Sequence, residues 1–136
     1  MAYDLKDFTA HEKIKLLAGQ DTWHTEDFNG RLYKVKVSDG PVGLRTPAYN
    51  EKTDKWEDLP AVAYPSTQVL SQTWDKEIAY KTGEFLADDC IEKGVDVLLA
   101  PGVNIKRNVL CGRNFEYFSE DPYLAGVMAR EYVRGV

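Results

Sequence analysis

Apolar residues recur along this chain in two patterns, steps of three to four residues and short continuous runs. Thr9 with Glu12 forms a capping-box signature, followed by Ile14, Leu16 and Leu17 before Gly19, which predicts a helix over Thr9–Ala18. In "LYKVKVSDG", Leu32, Val35 and Val37 form a lysine-interrupted alternation, a short strand stopped by Asp39-Gly40-Pro41. Residues 46–60 are charged and aperiodic with a proline near each end, and read as a surface loop. "AVAYP" reads as a second short strand ended by Pro65. From 74 to 93, Ile78, Ala79, Thr82, Phe85, Leu86 and Cys90 mark one helix face, with Asp75 as cap and Gly94 as stop. "VDVLLAPG" is a nearly continuous apolar run, the pattern of a parallel strand covered on both faces. A long loop over 102–120 then leads to Asp121-Pro122, a cap with proline at the first helical position. Leu124, Val127, Met128 and Tyr132 carry the apolar face of the last helix.

Strand, helix, strand, helix implies an α/β fold with a parallel sheet and crossover connections. In such folds ligand sites gather where strands end at their carboxyl termini, in closed barrels and open sheets alike. Two chemically dense loops leave predicted strands at that end: "SDGPVGLR" and "CGRNFEYFSEDP". Asp39, Arg45, Arg113 and Glu116 are thereby candidates for one shared cleft. A carboxylate accepting from adjacent hydroxyls, with a guanidinium donating to others, suits a polar, uncharged ligand with many hydroxyls. Trp23, Phe115, Tyr117 and Phe118 are available to cover the apolar side of a ring. The competing reading is structural: Arg113 and Glu116 brace their loop as an ion pair, and Asp39 shapes a Gly-Pro turn. Spacing alone leaves both open.

Composition narrows the classes. The chain has 136 residues, 43% hydrophobic and 29% charged, which is the profile of one globular domain. With 22 acidic against 17 basic residues it lacks the concentrated positive surface that nucleic-acid binding needs. No apolar run approaches the roughly 20 residues of a membrane span. The opening "MAYDLKDFTAHEK" lacks the order of a signal peptide. Cys90 and Cys111 make neither a disulfide framework nor, with His11 and His24 elsewhere, a metal site. The expectation is a cytoplasmic protein with reduced thiols, no metal and no cofactor.

"LKDFTAHEKIKLLAGQDTWHT", "VSDGPVGLR", "YPSTQVLSQTWD" and "LLAPGVNIKRNVLCGRNFEYFSEDPYLAG" together resemble the N-terminal part of glycoside hydrolase family 3, its β-glucosidase branch. The resemblance covers essentially the whole chain. It implies that residues 1–136 are the N-terminal portion of a TIM-like (β/α) barrel, incomplete in this chain. It also implies a retaining, exo-acting β-glycosidase that releases sugars from the non-reducing ends of β-linked glucosides or oligosaccharides. By the same resemblance Asp39, Arg45 and Arg113 contact sugar, while Glu116 and Asn114 support the loop. Retaining hydrolysis needs two carboxyl groups about 5–5.5 Å apart. The family's nucleophile segment, "SDW"-like, and its "KH" pair do not occur here, and its acid/base residue lies further on. Glu120 and Asp121 read as helix-start chemistry, and Asp88-Asp89 as a solvated helix face. The chain also stops inside an apolar-periodic helix with no stop signal. It is therefore expected to hold no catalytic residue and to act with the remainder of an enzyme, covalently attached or as a second chain. The alternative is a non-catalytic carbohydrate-binding or structural module derived from the barrel.

Overall fold

The computed structural model describes residues 4–136. Helix α1 spans Ala10–Ala18 and opens on the predicted box: Thr9 Oγ1 accepts from the Glu12 amide, and the Glu12 carboxylate accepts from the Thr9 amide. Strand β1 is shorter and later than predicted, Val37–Asp39, so Asp39 ends the strand instead of stopping it from outside. Residues 46–60 are not a structureless loop. They form an antiparallel hairpin, β2 (Pro47–Asn50) and β3 (Lys55–Asp58), with Tyr49 opposite Trp56 and the two rings edge-on at 5.7 Å. That cross-strand aromatic pair supplies what the charged sequence hides. Residues 61–65 form no strand; the Tyr64 amide instead donates to the Val42 carbonyl at 2.8 Å.

A helix absent from the sequence reading, α2 (Thr67–Thr73), is capped by Ser66 and ends at Trp74 in the left-handed region. Next come α3 (Lys76–Lys93), capped by Asp75 and stopped by Gly94, and strand β4 (Val97–Leu99). Helix α4 (Pro122–Gly135) follows, capped by Asp121. These bounds match the predicted ones to within two residues. The buried stripe of α3 is narrower than predicted: Ala79, Thr82, Gly83, Leu86 and Cys90 are inside, while Ile78 and Phe85 are exposed on its flank.

β1 and β4 pair in parallel, with Val37 opposite Val97, Ser38 opposite Leu98 and Asp39 opposite Leu99. α2 and α3 form the crossover between them. Ser38 and Leu98 turn toward the helices, where Leu70, Ala79, Leu86, Phe118, Ala125, Met128 and Tyr132 make the core. The opposite face is bare: Val97 is 44% and Leu99 52% exposed. The apolar run is therefore covered on one face within this chain, not on both, because two strands alone cannot wrap their second face.

Candidate functional site

The backbone after β1 is locked before any side chain reaches out. The Arg45 amide donates to the Asp39 carbonyl at 2.9 Å, and the Ser38 hydroxyl donates to the Arg45 carbonyl at 2.6 Å. Gly43 has φ +136°, and a Cβ there would run into the Val62 carbonyl, so only glycine fits. Two carbonyls in the turn are held from outside: Pro41's by the Tyr132 hydroxyl at 3.2 Å, and Val42's by the Tyr64 amide. Tyr64 is itself tied to α3, its hydroxyl donating to Asp89 at 2.8 Å, and burial together with that bond pushes its phenol up to about 12.

On this rigid turn Asp39 is exposed, and its carboxylate has no hydrogen-bond or ion-pair partner among the described residues. Arg45 is exposed too; its Nε lies 3.5 Å from Asp58 of the hairpin, a distant surface contact. Both side chains are thus available to a ligand while their backbone is not free to move.

The loop after β4 is organised by its own turns. The Asn114 side chain donates to the Asn108 carbonyl at 2.9 Å and, more distantly, to Val109, closing the 108–114 segment on itself. A single 3-10 turn, Asn114–Glu116, then brings Arg113 onto Glu116, with its guanidinium 5.8 Å from the Tyr117 ring centre. The Glu116 side chain is 12% exposed and the Arg113 side chain 70%. Arg113 spends only its Nε on Glu116, and its two terminal amino groups have no partner among the described residues. Bracing and binding therefore coexist in one residue: the carboxylate fixes the plane of the guanidinium, and the outer edge of the fork stays free to donate.

β1 and β4 end side by side, so both loops leave the same edge of the sheet. Asp39 and Arg45 are joined through their backbones, and Arg113, Asn114 and Glu116 lie on one turn; among the described residues no hydrogen bond or ion pair links the first group to the second. The aromatic candidates divide. Tyr117 and Phe118 are buried and brace the loop, whereas Phe115 is exposed. Trp23 lines a cavity of about 480 Å³ with Arg45, Thr46, Pro47 and Trp56. Tyr132 and Tyr64, which hold the turn beneath Asp39, carry no motif that sets them apart from other aromatic residues on buried positions.

The profile of the glycosyl hydrolase family 3 N terminal domain matches residues 48–136. An exo-α-(1→6)-L-arabinopyranosidase of Bifidobacterium longum is 44% identical over 135 residues, and thermostable β-glucosidase B of Acetivibrio thermocellus 42% over 134. Each alignment covers 97% of this chain but 18% of the relative, so the chain spans less than a fifth of those proteins' length. The crystal structure of a β-glucosidase from Kluyveromyces marxianus in complex with glucose superposes with a TM-score of 0.84 at 36% identity, over 96% of this chain and 15% of that one. β-Glucosidase 3B from Thermotoga neapolitana, also with glucose, gives 0.81 at 38%, over 97% and 20%.

Proposed function

This chain belongs to glycoside hydrolase family 3, as the first part of its barrel domain, and from that premise we propose that it is the sugar-binding part of a retaining, exo-acting β-glucosidase. The observation that carries the reading is the parallel register from Val37–Val97 to Asp39–Leu99, which sends the two polar loops off one sheet edge. The proposal assigns Asp39 as acceptor for sugar hydroxyls, Arg45 and Arg113 as donors, and Glu116 and Asn114 as the supports of Arg113. The remainder of the enzyme, attached or separate, supplies the nucleophile and the acid/base carboxyl. Two thiols that form no disulfide, Cys90 and Cys111, support a cytoplasmic setting, which cell fractionation tests.

A second reading of the sugar rests on the arabinopyranosidase named above, which is as similar to this chain as the β-glucosidases are. An α-L-arabinopyranoside presents a pyranose ring without the hydroxymethyl group of glucose. Full-length enzyme offered aryl β-D-glucopyranoside and aryl α-L-arabinopyranoside in parallel separates the two. In the same assay Asp39→Ala should lower kcat/KM about 10- to 150-fold, the equivalent of the roughly 1.5–3 kcal/mol of a charge-assisted hydrogen bond. Unchanged kinetics in that variant would remove Asp39 from the site.

A further inference from the structure

One buried side chain that belongs to neither loop touches both. Tyr132 sits on α4 and is fully buried. Its hydroxyl donates to the Pro41 carbonyl inside the turn that follows Asp39. Its ring packs edge-on to Phe118, with centroids 6.4 Å apart and planes 80° from parallel. Phe118 closes the Arg113 loop and is itself 1% exposed, with its carbonyl accepting from the Ser71 hydroxyl at 2.6 Å. One side chain therefore contacts both loops, which share no hydrogen bond or ion pair through Asp39, Arg45, Arg113 or Glu116 among the described residues. We infer that Tyr132 is a positioning residue that sets the Asp39 turn and the Arg113 loop at the separation a sugar ring requires.

The inference rests on the sugar-binding reading of the two loops and adds how their spacing is fixed. A phenol is suited to the task, since one end is an apolar edge for Phe118 and the other a donor for a carbonyl. Burial pushes that phenol above its ordinary range, so it stays protonated, and a donor, through neutral and mildly alkaline pH. Loss of the bond should then act equally across the pH profile.

The test uses full-length enzyme and Tyr132→Phe, with Thr82→Val as a control. Thr82 is also buried, and its hydroxyl donates to the Ile78 carbonyl within α3, not to either loop. Three readouts are taken: the inhibition constant of glucose, the pH profile of turnover, and amide hydrogen exchange over residues 40–46, 76–93 and 113–119. Tyr132→Phe should raise the glucose inhibition constant about fivefold (about 1 kcal/mol at 1.36 kcal/mol per decade). The pH profile should keep its shape, and exchange should quicken at 40–46 but not in α3. Thr82→Val should quicken exchange in α3 and leave glucose binding alone. If both variants weaken glucose binding equally, or if exchange at 40–46 is unmoved by Tyr132→Phe, the positioning role is overturned. Should Tyr132→Phe not fold, Phe118→Leu takes its place, and unchanged glucose inhibition in that variant overturns the role equally. A wild-type enzyme that binds no sugar while Tyr132→Phe still loosens residues 40–46 would instead refute the proposed function and keep Tyr132 as the support of the turn.

Discussion

Alanine at Gly83 should weaken this protein although alanine favours helices, and the structure gives the size of the effect. α3 and α4 cross at Gly83 and Gly135. A Cβ built on Gly83 lies 3.0 Å from the Gly135 Cα and the Val136 amide nitrogen, and closer still to the Tyr132 carbonyl. All three are backbone atoms and cannot rotate aside. Carbon contacts settle at about 3.5–4.0 Å, and the Tyr132 carbonyl is the tightest of the three, so one helix must retreat from the other by about 1 Å or more. Overpacking of this kind costs about 1–3 kcal/mol. The same change also gains helix propensity, about 1 kcal/mol, which partly conceals the cost. Gly126, on the exposed side of α4, isolates that gain, because nothing lies within 4 Å of its Cβ position. Gly83→Ala and Gly126→Ala share the propensity term, so their difference reports the crossing alone: about 1–3 kcal/mol in favour of Gly126→Ala. Urea unfolding of full-length enzyme followed by tryptophan fluorescence measures it. Equal midpoints for the two variants would refute the close crossing, and with it the route by which α4 holds Tyr132 under the turn that follows Asp39.

Arg113→Lys should lower kcat/KM more than it lowers thermal stability, because a lysine keeps the charge toward Glu116 but has no second arm to donate outward; equal losses in both would favour pure bracing. Asp96 accepts from the Lys36 amide and from the Tyr33 hydroxyl, and the first of these chiefly holds its carboxyl below the ordinary aspartate value. A depressed folded value contributes stability above the unfolded one, about 3.9, and loses it as pH falls through the folded one. Acid weakening below about pH 4 should therefore be shallower in Asp96→Asn, as read from urea midpoints between pH 3 and 6. Residues 1–136 produced alone should self-associate, given the bare faces of Val97 and Leu99 and the exposed Ile78, Phe85 and Ile91, and should not hydrolyse an aryl β-glucoside. A monomer with sharp, cooperative unfolding would contradict the first expectation, and turnover free of contaminating enzyme the second.

What the sequence made legible depended on whether a feature is local. Asp75 and Gly94 delimit α3, and Asp121-Pro122 opens α4, because caps act on amides two or three residues away. α2 escaped notice because seven residues, five of them polar, make too few turns to show a period. The hairpin escaped because its organising contact, Tyr49 against Trp56, joins residues on opposite strands within an otherwise charged segment. That the Asp39 and Arg113 loops share a sheet edge was readable from strand and helix alternation alone. Their spacing was not, since the hydroxyl of Tyr132 meets a carbonyl far away in sequence, and periodicity reports only that the ring is inside.

The central claim is that this chain grips sugar but leaves bond cleavage to carboxylates elsewhere in the enzyme. A 2-deoxy-2-fluoro glycoside with a good leaving group tests it directly, because in a retaining enzyme it accumulates the covalent glycosyl-enzyme intermediate. Full-length protein treated with such a reagent, digested and mapped by mass spectrometry should carry one sugar on an aspartate outside residues 1–136, and Asp39→Ala should slow the labelling without moving it. A label on any carboxylate within residues 1–136, or labelling at an unchanged rate in Asp39→Ala, would contradict the account.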